Sequence, residues 1–281
     1  MSLGKSIFFI AEAGINHNGD LENALRLIRM AKDAGCDAVK FQKREPEICV
    51  PQEMRGVLRE TPWGQLTYFD YKKKIEFGEE EYDEINRYCR LLEIDWSASA
   101  WDVPSLEFLG RYNLSFNKVA SALTTNLEFL EQVAVRRKLT YVSVGMCNYA
   151  QIDSAVAIFK SKNCPIVLMH TISNYPADER HLNLRMIETL KERYKVPIGY
   201  SGHESTVTPS IVAATLGAVA IERHITLDRA MWGTDHAASL EFTGLNNLVG
   251  AVRKIDLVLG DGIKKVVPGE SDMAKKMRYW D

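Results

Sequence analysis

Short blocks of consecutive apolar residues alternate along this chain with longer stretches whose apolar positions recur every three or four residues. The blocks fall at 7–12, 37–42, 94–99, 115–120, 140–145, 164–170, 196–201 and 218–224. They are rich in Val, Ile, Phe and Tyr and do not alternate strictly, as expected of strands buried on both faces. Between them lie ENALRLIRMAKDAG, which stops at Gly35, then EEEYDEINRYCRLLE, VPSLEFLGRY, NLEFLEQVAVRRK, AQIDSAVAIFKSK, LNLRMIETLKERY, SIVAATLG and LNNLVGAVRKIDLVLG, each with helical spacing. Strand and helix alternating to the end predict an α/β fold of the TIM (β/α)8 barrel type. An open doubly wound sheet is the competitor, but no GxGxxG follows the first strand and polar residues cap many strands instead of one switch point. The expectation is a single domain over 1–281, with 263–281 as a C-terminal tail. Residues 43–78, including PWGQLTYFDYKKKIEF, break the rhythm and predict a long loop after the second strand, at the mouth of the barrel.

Five polar residues end these blocks: Glu12 in IFFIAEA, Lys40 in DAVKF, Lys118 in SFNKVAS, His203 after VPIGYSG, and His224 in AVAIERH. Parallel barrel strands bring their carboxyl ends to one mouth, so the five are expected to converge.

Charge and cysteine usage narrow the setting. A formal net charge of −2 leaves no global basic footprint for nucleic acid. Five cysteines without a CxxC pair predict free thiols in a reducing, cytoplasmic compartment. The amino terminus shows no signal-peptide pattern, and the most apolar window, 207–221, is too short to span a bilayer, so no membrane partner is expected.

The candidate chemistry is metal-assisted. His203 and His224, on the last two strand ends, have the spacing to share one divalent ion, with His236 in the following loop as a further candidate. Few cysteines lie nearby, which favours manganese, magnesium, cobalt or zinc over a thiolate-bound structural ion. Lys40 and Lys118 sit in apolar blocks, where an ammonium is costly without a counter-anion. Schiff-base chemistry and anion clamping are both open to them. Ser121, Ser143 and Ser201, also at strand ends, favour the clamp. INHNGD (15–20) reads as turn chemistry with Asp20 suited to cap a helix, and SNYPAD (173–178) as a Pro turn in which Tyr175 is placed to wall a pocket. Asp235 in GTDH is a candidate for sugar hydroxyls, and the run Lys72, Lys73, Lys74 reads first as a solvated face.

IAEAGINHNGD, AVKFQ, KVAS, VGM, YP, YSGHE, ERHIT and GTDHAASLE, in this order, resemble the motifs of the sialic acid synthase family, over about residues 7–262. The resemblance implies condensation of phosphoenolpyruvate with an open-chain aldose, of N-acetylmannosamine or mannose type, to a nine-carbon 2-keto-3-deoxy acid and free phosphate. It implies that His203 and His224 hold the divalent metal, usually manganese, a Lewis acid for the aldehyde oxygen. Lys40, Lys118, Ser121, Ser143 and Ser201 would bind phosphoenolpyruvate, with Ser173 where the family usually has Asn. Glu12 would contact the water or aldehyde there, and Gln42, Tyr175 and Asp235 the acceptor's hydroxyls. Family members dimerise, so a homodimer or other homo-oligomer is expected.

Three departures stand out. KVAS is followed by Ala122 and Leu123 where the family usually has Gly and an acid, and Ser143-Val144-Gly145-Met146 replaces the usual S-T-G-M. The antifreeze-like domain that follows the barrel in most members is not expected within these 281 residues. Loss of that domain's sugar contact makes mannose 6-phosphate, giving a deaminated nonulosonate 9-phosphate, a competing acceptor. The other readings are a metal-dependent phosphosugar aldolase or isomerase barrel, or a barrel that binds sugar without turnover.

Overall fold

The computed structural model describes residues 7–280. The strands are β1 (Phe8–Gly14), β2 (Ala38–Lys43), β3 (Leu58–Thr61), β4 (Gly64–Thr67), β5 (Asp95–Ala100), β6 (Asn117–Val119), β7 (Thr140–Ser143), β8 (Ile166–His170), β9 (Ile198–Gly202) and β10 (Ala220–His224). All except β3 and β4 pair in parallel into a closed barrel, in the order β1-β10-β9-β8-β7-β6-β5-β2. Each of the eight sequence blocks is one of these strands, and the TIM architecture stands.

The helices return outside the barrel for local reasons. Leu21–Asp33 starts on Asp20, whose carboxylate accepts from the amides of Glu22 and Asn23, as its position after INHNG suggested. It buries Ala24, Leu27, Ile28, Met30 and Ala31 on one face, and Gly35 follows with φ +80°, a left-handed turn that favours glycine. The last predicted helix divides at Lys254, into Phe242–Arg253 and Ile255–Leu259.

Two apolar regions result. A large one lies between strands and helices, with Phe9, Val39, Leu168 and Ile221 facing Leu27, Ile85, Leu130 and Leu248. A small one plugs the barrel's interior at the amino ends of the strands, where Ile10, Phe116, Tyr141, Val167 and Met169 meet. The mouth is left for polar groups.

The stretch predicted as a long loop is built. β3 and β4 form an antiparallel hairpin, and Tyr68–Ile75 follows as a helix capped by Thr67, whose hydroxyl accepts from the amide of Asp70. Tyr71 and Ile75 pack on Ile15, with Trp232 beside them, anchoring this insertion over the mouth. Within the expected tail, Glu270–Met277 forms a helix that buries none of its residues. Among the described residues no helix is long and apolar enough to cross a membrane.

Candidate active site

Barrel register puts the strand-end residues side by side. Glu12 pairs across to Lys40 on one side and to His224 on the other, and Ser99 on β5 lies opposite Lys118 on β6. Their side chains enter one cavity at the mouth, walled by Glu12, Lys40, Gln42, Lys118, Ser121, Ser143, Ser173, Tyr175, Ser201, His203 and His224. Of the candidate site residues Asp235 and His236 stay off this wall; the Asp235 carboxylate stands 4.0 Å from His224 Nδ1. Trp101, Ala120, Ala122, Met146 and Glu222 also line the cavity and were not predicted.

Glu222 is the largest omission. Lys118 Nζ lies 3.2 Å from its Oε1, Lys40 Nζ 3.8 Å, and Ser201 Oγ donates to the same oxygen at 3.4 Å. Lys40 also contacts Glu12 Oε2 and donates to Ser99 Oγ at 2.9 Å. The counter-anions that two buried ammoniums demand are thus supplied by the protein itself. Burial raises the cost of an ionised Glu222, but Lys118 and Lys40 outweigh it and hold the carboxyl at about 2. Lys118 is lowered, first by burial, with Lys40 acting in the same sense against Glu222. In the IERH motif, strand alternation sends Glu222 and His224 inward and Arg223 outward. Arg223 forms a fully buried ion pair with Glu204 at 3.0 Å, so two further motif residues have a structural role.

A steric constraint fixes the serines. A Cβ on Gly145 would fall 2.4 Å from Ser173 Oγ and 2.9 Å from Ser121 Oγ, so only glycine lets both hydroxyls approach. The next residue, Met146, has φ +60°, a strained conformation for a side-chain-bearing residue at the cavity edge. Ser121 Oγ accepts from the amide of Gly145 at 3.1 Å. Ser143 Oγ, Glu222 Oε2 and His224 Nδ1 are buried with no hydrogen-bond partner among the described residues, and Glu12 Oε2 in the same cavity has only its ion pair with Lys40. Buried polar atoms rarely stay unpaired, so the cavity is made for a polar occupant.

The two imidazoles have ring centroids 5.5 Å apart. His203 Nδ1 meets the Ile172 carbonyl oxygen at 2.7 Å, which assigns the proton to Nδ1 and leaves an Nε2 lone pair that accepts from the Tyr175 hydroxyl at 2.9 Å. Burial, reinforced by the neighbouring His224, lowers the His203 pKa to about 3, so this ring is neutral. Burial likewise raises the Tyr175 phenol, which remains a donor. A neutral ring whose Nε2 lone pair is fixed in direction and met by the Tyr175 hydroxyl, beside a second ring with a nitrogen unpartnered among the described residues, fits a divalent cation that would take that hydroxyl's place and draw its remaining ligands from water or substrate. Among the described residues no group of three or more His, Cys, Asp and Glu is placed to hold an ion unaided. His236 is no third ligand: its Nδ1 meets Thr226 Oγ1 at 2.7 Å and its Nε2 meets Asn18 Nδ2 at 3.5 Å.

Leu123, at the position of the family's acid, packs partly buried against the apolar layer. Among the described residues Glu12 and Glu222 are therefore the only acids on the cavity wall. The lysine run also separates: Lys73 and Lys74 are solvated, whereas Lys72 is 8% exposed.

Residues 27–264 match the model of the NeuB family. The chain is 38% identical over 273 residues to N-acetylneuraminate-9-phosphate synthase of Homo sapiens, covering 96% of this chain and 76% of that one. It is 34% identical to N,N'-diacetyllegionaminic acid synthase of Campylobacter jejuni, covering 95% of this chain and 81% of the relative. The crystal structure of N-acetylneuraminic acid (sialic acid) synthetase from Leptospira borgpetersenii in complex with citrate superposes with a TM-score of 0.85, at 33% identity, over 100% of this chain and 96% of that one.

Proposed function

This chain belongs to the NeuB family, an enzyme of the nonulosonic acid synthase kind, and we propose that it joins phosphoenolpyruvate to an open-chain aldose with release of phosphate. The observation that carries this reading is the division of one cavity into two chemistries. Lys40, Lys118 and the unpartnered Ser143 hydroxyl stand on one side, and the neutral His203 ring with the His224 ring beside it on the other. The first half suits an anion with several oxygens; the second suits a divalent cation beside a carbonyl.

The cation, manganese or a substitute held by His203 and His224, would supply Lewis acidity toward the aldehyde oxygen. Lys40 and Lys118 would grip the phosphate and carboxylate of phosphoenolpyruvate, and Ser121, Ser143, Ser173 and Ser201 would donate to their oxygens. That grip aligns the enol carbon and stabilises the departing anion. The enol carbon attacks the aldehyde carbon, water adds at the carbon bearing the phosphate, and cleavage of that carbon's bond to the phosphate-bearing oxygen expels phosphate. With no acid at position 123, proton transfer falls to Glu12, which is oriented by Gln42 Nε2 donating to its Oε1 at 3.1 Å. Gln42, Tyr175 and Asp235 would hold acceptor hydroxyls. The protein would act as a homo-oligomer in the cytoplasm.

The deciding experiment is product mass after incubation with phosphoenolpyruvate, manganese and a panel of aldoses. A product heavier than the aldose by one pyruvate unit, with phosphate release that needs both substrates and stops with chelator, supports the reading. Release without an aldose, or none with any mannose derivative, refutes it.

A further inference from the structure

Along β2 alternate side chains face the cavity, and Lys40 and Gln42 both line it. The next residue in that series, Arg44, stands just past the strand end and off the cavity wall. It is 9% exposed, and among the described residues no carboxylate pairs with its side chain. Its guanidinium stacks 4.3 Å over Trp101 and donates through Nη2 to Gln42 Oε1, while its buried Nε has no hydrogen-bond partner. The backbone is held as well: the Arg44 amide donates to Glu76 Oε1 at 3.1 Å, and its carbonyl accepts from Lys43 Nζ at 3.3 Å. A buried guanidinium without a carboxylate is costly, and in so dry a place its charge polarises the group it donates to.

Gln42 passes that contact on. A guanidinium only donates and a carboxylate only accepts, so the amide oxygen faces Arg44 and the amide nitrogen faces Glu12. Nε2 donates to Glu12 Oε1 at 3.1 Å, and Glu12 Oε2 contacts Lys40. Gly14 keeps the space for this bond, since a Cβ there would fall 3.2 Å from Glu12 Oε1 and 3.3 Å from Gln42 Nε2.

We propose that Arg44 is a positioning residue for the condensation, acting through Gln42 on Glu12. This rests on the condensation reading and adds to it a residue outside the cavity. With a cation at one end and a carboxylate at the other, the amide between them has a single orientation. It steadies the Glu12 carboxylate and leaves the second N–H of Nε2 to donate to an acceptor oxygen. Without Arg44 the amide is free to turn over and set its oxygen against Glu12, where two acceptors repel. Glu12 is then loose when a proton has to move, while the lysines and serines assigned to phosphoenolpyruvate keep their places.

The test is a double-mutant cycle on phosphate release with phosphoenolpyruvate, manganese and whichever of N-acetylmannosamine, mannose and mannose 6-phosphate is consumed. Arg44→Met is expected to lower kcat about tenfold or more, with KM for phosphoenolpyruvate changed less than about twofold. In a Gln42→Met background the same substitution is expected to change kcat less than about twofold, because the link it acts through is gone. Arg44→Lys, which keeps a charge but loses the fork and the stacking, runs the same cycle should Arg44→Met fail to fold. An Arg44 effect of equal size with and without Gln42, or one that falls on KM for phosphoenolpyruvate, makes Arg44 a packing residue and leaves the condensation standing. Absence of release with every sugar instead sinks the condensation reading. The link itself is then read by nitrogen-15 NMR of the protein without substrate, where the Gln42 side-chain amide is identified by its loss in Gln42→Met. Its exchange with water is expected to be about tenfold faster in Arg44→Met, and equal exchange overturns the link.

Discussion

Glu222 Oε1 sits between two ammoniums, 3.2 Å from Lys118 and 3.8 Å from Lys40, and with Glu12 it neutralises the floor of the cavity. An incoming anion meets lysines already paired with carboxylates. Glu222→Gln removes one charge and leaves two ammoniums sharing Glu12. The variant is expected to lose about 3–5 kcal/mol of stability and on the order of 10 °C in Tm. Added phosphoenolpyruvate should restore more of that Tm than it adds to the wild type, because substrate then supplies the missing negative charge. A thermal shift that is the same in both proteins would contradict this.

Gly145→Ala would press a methyl group onto Ser173 Oγ and Ser121 Oγ. Overpacking of this kind costs about 1–3 kcal/mol, so the barrel should survive. Displaced hydroxyls should raise KM for phosphoenolpyruvate about tenfold, the cost of one lost hydrogen bond to a charged group. Steady-state kinetics with phosphoenolpyruvate as the varied substrate checks it; an unchanged KM would mean that these serines do not touch it.

Acid should destabilise the fold through its buried histidines. Burial lowers His17, stacked 4.0 Å from Phe77, to about 3, and His203 to about 3. His170 and His236 are lowered in the same direction, also by burial. Between pH 6.5 and 3 the unfolded chain binds protons that the native rings refuse, so stability falls as pH drops through that window. Each histidine contributes at most about 1.4 kcal/mol per pH unit. Urea unfolding in chelator at pH 7 and pH 5.5 should show the loss, and His17→Asn should make the slope shallower. Equal midpoints at the two pH values would show the rings protonated or exposed.

The histidine pair should make turnover metal-dependent. His203→Ala and His224→Ala are each expected to lower kcat/KM by about a thousandfold or more, the scale on which a Lewis acid worth several kcal/mol acts. Chelator should abolish wild-type turnover and manganese restore it, while neither variant recovers at stoichiometric metal. Wild-type activity persisting after dialysis against chelator would refute the assignment.

The eight barrel strands were legible because a strand covered on both faces reads as an unbroken apolar block. β3 and β4 were not: in LRETPWGQLT the hairpin is half exposed and mostly polar, so no block marks it. The helix Tyr68–Ile75 hid for a related reason, since its buried face includes Lys72 and breaks the apolar period. The site was legible wherever a polar residue closed a block. Glu222 stood inside one, two residues before His224, and same-face alternation along the strand was the signal that could have found it. The pairing of Lys118 with Glu222 joins residues 104 apart in the chain and leaves no local trace. Arg223 and Glu204 look as chemical as their neighbours in the motifs, yet they face outward and lock β9 to β10.

The aromatic plug of Phe116 and Tyr141, with Phe8 beside them, closes the end of the barrel opposite the ionised groups. Among the described residues the cavity therefore opens at the mouth, and on the proposed condensation phosphate would leave by the path through which the sugar came. Turnover then becomes a matter of traffic at that mouth, where the hairpin and the Tyr68–Ile75 helix stand.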